Sequence, residues 1–151
     1  MSESISGAKD ELRRRALERR DAMSAVERKA TSSRIAERLV SLLDERNQRC
    51  VALYAPIRSE VDVRPIMAAL VESGAGLALP IIVADDLIFR SWTPADPLIE
   101  GAFGVGQPSA EAPLVTPDAI VLPVAAFDRN CSRIGYGRGF YDRAIARLRK
   151  T

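Results

Sequence analysis

CVALY, residues 50–54, is the stretch on which the fold turns. It is short and apolar, and Ala55-Pro56 follows it at once. A run this short is too brief for a helix that must nucleate itself, and it lacks the strict alternation of a strand with one wet face. It reads as a strand buried on both sides. Two more runs of the same kind follow, LALP at 77–80 and AIVLP at 119–123, and LIFRSW at 87–92 alternates partly and predicts a further strand. Between and before them the pattern is helical. Residues 8–22, AKDELRRRALERRDA, are rich in good helix formers. Ser24 and Glu27 have the S-x-x-E spacing of a capping box, and Ile35, Leu39, Leu42 and Leu43 then repeat at helical spacing, predicting a helix that ends near Glu45. Asp62 is placed to cap a helix running to about Ser73, with Pro65 tolerated in its first turn and Gly74 and Gly76 closing it. Helices alternating with short buried strands predict an α/β fold: one three-layer domain over 1–151, with a mostly parallel sheet and helices on both faces.

The bulk composition agrees. At 151 residues the chain suits a single domain, and 47% hydrophobic with 28% charged residues is ordinary for a globular protein and excludes disorder for most of it. No apolar run approaches a membrane span, and the first residues lack the apolar core of a secretory signal, so a cytoplasmic protein is expected. There is no histidine, which excludes Ser-His-Asp and Cys-His catalysis. Cys50 and Cys131 are too few for a disulfide framework or a zinc site. The net charge is only +2, but Lys9, Arg13, Arg14, Arg15, Arg19 and Arg20 crowd one end, and Arg129, Arg133, Arg138 and Arg143 the other. Clusters of this kind suit an anionic ligand, or they form solvated helix faces.

RIGYGRGFYDR, residues 133–143, carries the chemistry. Gly135, Gly137 and Gly139 alternate, and a helix from about Phe140 to Arg149 follows. Alternate glycines let backbone donors approach a ligand and accept unusual dihedrals. A helix N-terminus behind such a turn favours phosphate, since free amides and the helix dipole point at it. Arg133 and Arg138 add charge-assisted donors, and Asp142 on the first helical turn could hold magnesium on those phosphates. The plainer alternatives are a tight strand-to-helix connection and a helix-start carboxylate satisfied by the dipole. The spacing is neither a Walker loop nor a dinucleotide fingerprint. Residues 93–118, dense in proline and glycine, predict a long irregular segment.

VLPVAAFDRNCSRIGYGRGFYDR at 121–143 resembles the signature of the 5-formyltetrahydrofolate cyclo-ligase family, also called 5,10-methenyltetrahydrofolate synthetases. KDELR at 9–13, YAPIRSEVD at 54–62, FRSW at 89–92, FGVGQPS at 103–109 and PDAIVLP at 117–123 resemble further family segments, in order. The resemblance implies an ATP-dependent ligase of one-carbon metabolism. It would close 5-formyltetrahydrofolate to 5,10-methenyltetrahydrofolate and release ADP and phosphate. ATP and Mg2+ would be required, reduced folate and ATP would be the partners, and neither nucleic acid nor membrane would be involved; a monomer is expected.

Residue by residue, the resemblance implies that ATP meets Lys9, Arg13, Arg133, Ile134, Gly135, Tyr136, Gly137, Arg138, Gly139, Phe140 and Tyr141, with Asp142 binding the metal. Lys9 and Arg13, four apart, can share a helix face; without the family they read as a solvated basic face. Folate would meet Ala55, Glu60 and Trp92, with Tyr136, Gly137, Arg138, Gly139 and Phe140 lining the same pocket. A Glu60 carboxylate can accept from pterin N–H groups, or it can be an exposed loop charge. Trp92 can stack on folate, or be partly buried core. Arg138 is the candidate for stabilising the transferring phosphoryl group. The resemblance also implies a further strand and a second metal carboxylate after the glycine-rich helix, whereas this sequence ends at Thr151. A short member that binds nucleotide or folate without turnover is therefore an alternative. A basic module binding RNA or DNA is a third, and near-neutral charge with 5% aromatics speaks against it.

Overall fold

The computed structural model describes residues 2–150, with side chains from residue 6 onward; Met1 and Thr151 lie outside them. The chain runs α1 (Ser2–Asp21), α2 (Ala25–Glu45), β1 (Cys50–Ala52), α3 (Arg64–Glu72), β2 (Gly76–Val83), β3 (Asp86–Ser91), β4 (Ile99–Glu100), a 3₁₀ turn (Ala102–Gly104), β5 (Gly106–Gln107), β6 (Ala119–Ile120), β7 (Ala126–Phe127), β8 (Arg133–Ile134) and α4 (Phe140–Leu148).

The main sheet has the order β3-β2-β1-β6. β1 is parallel to β2 and to β6, and β3 runs antiparallel to β2. The mostly parallel sheet is as expected, with one antiparallel edge. That edge arises because β2 is longer than the LALP run. Pro80 looks like a terminator, yet β2 continues to Val83 and turns back through a two-residue connection in which Ala84 has φ 55°. Pro80 is tolerated because β1 pairs only with Gly76–Ala78. The donor that proline lacks falls beyond the end of the β1 ladder.

The strand side chains alternate between two cores, with period two. Val51, Leu53, Leu77 and Leu79 point to one face and pack with Ala36 and Leu43 of α2 and Ile66, Met67 and Leu70 of α3. Ala52 and Ala78 point to the other and meet Ala144 of α4, with Leu87 and Phe89 of β3. Three alanines at that contact let α4 lie close to the sheet. Helices therefore cover both faces, as expected for three layers.

Local signals act as expected in most places. The Ser24 side chain accepts from the Glu27 amide while Glu27 accepts from the Ser24 amide, completing the capping box of α2. α3 corrects one expectation: its N-cap is Val63, not Asp62. Asp62 still serves the helix start, since its carboxylate accepts from the Arg64 amide at 3.0 Å and from the Arg64 guanidinium. After β6, AAFDRN at 125–130 supplies the first half of a small antiparallel hairpin, β7 with β8, which delivers the glycine turn.

Candidate active site

The crevice beyond the carboxyl ends of β1 and β6 is where a parallel sheet presents ligand sites. Three segments meet there: α1, the Ala55–Glu60 stretch after β1, and the glycine turn between β8 and α4.

Arg13 joins the first to the third. Its Nε donates to the Gly135 carbonyl at 2.7 Å, and its guanidinium also pairs with Asp10. A Cβ on Gly137 would lie 3.5 Å from the Arg13 Cζ. Lys9 is exposed one helical turn earlier on the same side. In the turn, Gly137 has φ +94° and Gly139, the N-cap of α4, has φ +67°. Among the described residues, no backbone amide from Gly135 to Asp142 donates to a protein acceptor. The donors of the helix start and the glycine turn are thus left together without protein acceptors.

Arginine partners fix the turn's flanks. Arg133 forms an ion pair with Asp142 across it. The Arg138 guanidinium stacks 4.1 Å from the centroid of the Phe103 ring, and its carbonyl accepts from Arg143 Nη1 at 3.0 Å. Phe103 is 62% exposed and holds φ 60°, a left-handed conformation unusual for an aromatic residue. Ile134 pairs with Ala126 in the hairpin. Phe140 packs on the α4 side of the sheet, with Arg143 over its ring at 5.1 Å.

Glu60 links the turn to the segment after β1. The Tyr136 hydroxyl donates to Glu60 Oε1 at 2.6 Å, and the Ile57 amide donates to Oε2 at 2.9 Å. Ala55 lies half-buried just before this carboxylate. Three phenols gather around it. Burial pushes the Tyr141 hydroxyl well above its ordinary value, and the Glu60 charge adds to the rise. Tyr54 behaves alike, burial first and then Glu60, while its hydroxyl donates to the Val61 carbonyl at 3.0 Å. For Tyr136, burial and the bond to Glu60 raise the value and Arg20 partly opposes them.

The structure therefore brings Arg13, Gly135–Tyr141, Glu60 and Asp142 into one region. Trp92 is not brought there. Its amide donates to the Leu77 carbonyl near the start of β2, and its ring packs on the α2 and α3 core, on the face opposite α4. Its Nε1 donates to the Asp96 carbonyl at 3.2 Å. The Asp142 carboxylate is engaged by Arg133, and among the described residues no group of three His, Cys, Asp or Glu side chains could hold a metal ion. Sequence reasoning did not single out Arg20, Asp21, Ser59 and Phe103, which touch this region. Arg20 stood only as one of several cations in a basic run, and no spacing marks Ser59 or Phe103.

Fold and site together define an α/β ligand-binding domain in which a basic helix and a glycine turn close over the carboxyl ends of parallel strands. A family model described as the 5-formyltetrahydrofolate cyclo-ligase family matches residues 5–151, and the chain belongs to that family. Among relatives, the 5-formyltetrahydrofolate cyclo-ligase of Haemophilus influenzae is 25% identical over 130 residues, covering 82% of this chain and 70% of that protein. The protein of the same name from Escherichia coli K12 is 26% identical over 135 residues, covering 85% and 74%. The solved structure of Aquifex aeolicus 5,10-methenyltetrahydrofolate synthetase superimposes with a TM-score of 0.80 at 35% identity, over 92% of this chain and 72% of that one. A 5,10-methenyltetrahydrofolate synthetase from Mycoplasma pneumoniae gives 0.74 at 25% identity, over 91% and 77%.

Proposed function

We propose that this chain converts 5-formyltetrahydrofolate to 5,10-methenyltetrahydrofolate at the expense of ATP, in the cytoplasm and as a monomer. One observation carries the reading: Arg13 of α1 is bonded to a glycine turn whose amides have no protein acceptor among the described residues. Free amides at a helix start, flanked by guanidinium groups, suit the oxygens of a polyphosphate. Family membership supplies the reaction to which such a cradle belongs.

In this reading the turn from Arg133 to Tyr141, with Lys9 and Arg13, holds ATP. Ala55 and Glu60 hold the pterin end of the folate, with Tyr136–Phe140 between the two ligands. The formyl oxygen attacks the γ-phosphorus, and the bond to ADP breaks. The carbon now carries a phosphate leaving group. The second folate nitrogen attacks that carbon, its proton is lost, and the C–O bond breaks to release phosphate. No protein nucleophile is required, in keeping with a chain without histidine. The protein's part is positioning and charge stabilisation. In this reading Arg138, whose guanidinium lies over the Phe103 ring, is the cation that stabilises the transferring group.

Mg2+ would arrive with ATP, and the donors present fit a modest share of its shell. Magnesium keeps several waters and takes one or two carboxylates beside the phosphates, and Asp142 offers one once Arg133 turns to phosphate. Bound there, the ion would neutralise phosphate charge.

The test is direct. Protein, 5-formyltetrahydrofolate and MgATP are mixed, and the methenyl chromophore is followed. Arg138→Ala should lower kcat roughly 100-fold, the scale for losing one charge-stabilising donor, with folate affinity within about threefold. Equal loss of both would remove Arg138 from that role. A second reading, binding without turnover, is favoured by the engagement of Asp142 with Arg133, and among the described residues no group of three His, Cys, Asp or Glu side chains could hold a metal ion. It predicts ATP binding without chromophore.

A further inference from the structure

Arg20, near the end of α1, reaches two hydroxyls from distant parts of the chain. Its Nε donates to Ser59 Oγ at 2.9 Å, and its Nη1 donates to the Tyr136 hydroxyl at 3.1 Å. Guanidinium N–H groups only donate. Each hydroxyl must therefore accept from Arg20 and has its own hydrogen left for another partner. That partner is a carboxylate both times, and an ionised carboxylate only accepts. Ser59 donates to Asp21, and Tyr136 donates to Glu60 Oε1 at 2.6 Å. Both branches have a fixed direction, outward from the guanidinium.

The two branches do different things. Ser59 is buried at 8% exposure, so its branch is an anchor. Tyr136 is 42% exposed and sits on the glycine turn, so its hydroxyl needs a second contact to stay in place. Arg20 supplies it. The result at Glu60 is a carboxylate held on both oxygens, by Tyr136 on Oε1 and by the Ile57 amide on Oε2. Each carboxylate oxygen can accept twice. One acceptor position per oxygen remains, and the pair suits a ligand edge with two adjacent N–H donors.

We infer that Arg20 is a positioning residue for reduced folate: acting through Tyr136, it sets the direction in which Glu60 faces the pterin. The assignment takes the folate role proposed for Glu60 as given. Arg13 and Arg20 are seven residues apart, which places them on one helix face about 10 Å apart along the axis. One stripe of α1 thus serves both ligands, Arg13 at the glycine turn and Arg20, through Tyr136, at Glu60.

The experiment is a calorimetric titration of 5-formyltetrahydrofolate and, separately, of ATP into wild type, Arg20→Gln, Tyr136→Phe and the double variant. Arg20→Gln should weaken folate binding about tenfold and ATP binding less than about twofold. In the Tyr136→Phe background, the same change should cost less than about threefold, because the branch is already cut. Wild-type folate affinity in Arg20→Gln overturns the assignment. So does an equal loss for ATP, or an Arg20→Gln effect undiminished in the double variant. If Arg20→Gln does not fold, Tyr136→Phe decides. It leaves the Arg20–Ser59 bond intact and should show the same folate-selective loss; a Tyr136→Phe protein with unchanged folate affinity overturns the assignment. Wild type that binds ATP but not 5-formyltetrahydrofolate instead sinks the folate role of Glu60, and this assignment falls with it.

Discussion

Gly135, Gly137 and Gly139 look equivalent in the sequence, yet their backbones differ. Gly137 and Gly139 have positive φ, while Gly135 does not and has nothing within 4 Å of where a Cβ would stand. Gly135→Ala should therefore leave the melting temperature nearly unchanged. Gly137→Ala places an L-residue at φ +94° and sets its methyl 3.5 Å from the Arg13 Cζ. That contact is an ordinary one, so the cost is the backbone term, about 1–2 kcal/mol, which only a change in the path of the turn relieves. Thermal melts of the two variants should differ by roughly 3–8 °C at this chain length, and ATP affinity should fall in Gly137→Ala. Equal melts would mean that the turn does not depend on that dihedral. The same contrast sets the reach of sequence reading at this scale. Three glycines before a helix mark a turn of unusual dihedrals, but which of them need glycine depends on the path the chain takes past Arg13, a residue more than a hundred positions away.

At the scale of elements, legibility follows locality. The α2 capping box lies within four consecutive residues, Ser24–Glu27, and appears as the pattern predicts. Replacing Ser24 with Ala removes the acceptor for the Glu27 amide and should cost about 1 kcal/mol in a urea titration; a Ser24→Ala protein as stable as wild type would make the cap irrelevant to the fold. β2 was harder to read because Pro80 is compatible with a strand only where no neighbour needs its donor, and that depends on where β1 ends. The β7–β8 hairpin was missed because its strands are two residues each and are held by pairing with one another, Ala126 with Ile134 and Phe127 with Arg133, not by any apolar alternation. α4 depends on a long-range fit. Ala144 is fully buried against Ala52 and Ala78, and a leucine there has nowhere to go. Ala144→Leu should destabilise by about 1–3 kcal/mol and shift the N-terminus of α4 with the turn it carries. ATP affinity should then fall even in variant protein that remains folded; unaltered stability would show slack at this contact.

Across the whole molecule, the sheet separates two chemistries. One face carries the α2 and α3 core. The other carries α4, and the site lies beyond the carboxyl ends of the central strands, where α1 closes over the turn. A groove of about 440 Å³ between α2 and β6, lined by Leu39, Leu42, Ile120 and Val121 among others, lies along the sheet edge and plays no part in the site. Among the described residues no helix is long and apolar enough to cross a membrane. The buried phenols make stability depend on alkaline pH with a definite sign. Tyr54, Tyr136 and Tyr141 all have values raised above an ordinary 10.0, chiefly by burial. A phenol is neutral when protonated, so over that range the folded chain holds protons that the unfolded chain has released, and stability must fall as pH rises. The contribution is complete below about pH 10 and is lost progressively as pH climbs through the folded values, with a limiting slope of about 1.4 kcal/mol per pH unit for each phenol. Cys50, raised from an ordinary 9.0 by burial and the Asp118 charge, adds the same trend from about one pH unit lower. Urea midpoints measured from pH 8 to 11 should be flat at first, decline gently near 9 and steepen beyond 10. Tyr141→Phe removes one of these raised hydroxyls and should flatten only the upper part of the curve. A midpoint that holds constant to pH 11, or a Tyr141→Phe curve parallel to wild type above 10, would mean that these phenols ionise as freely in the fold as in water and that the region around Glu60 is open to solvent.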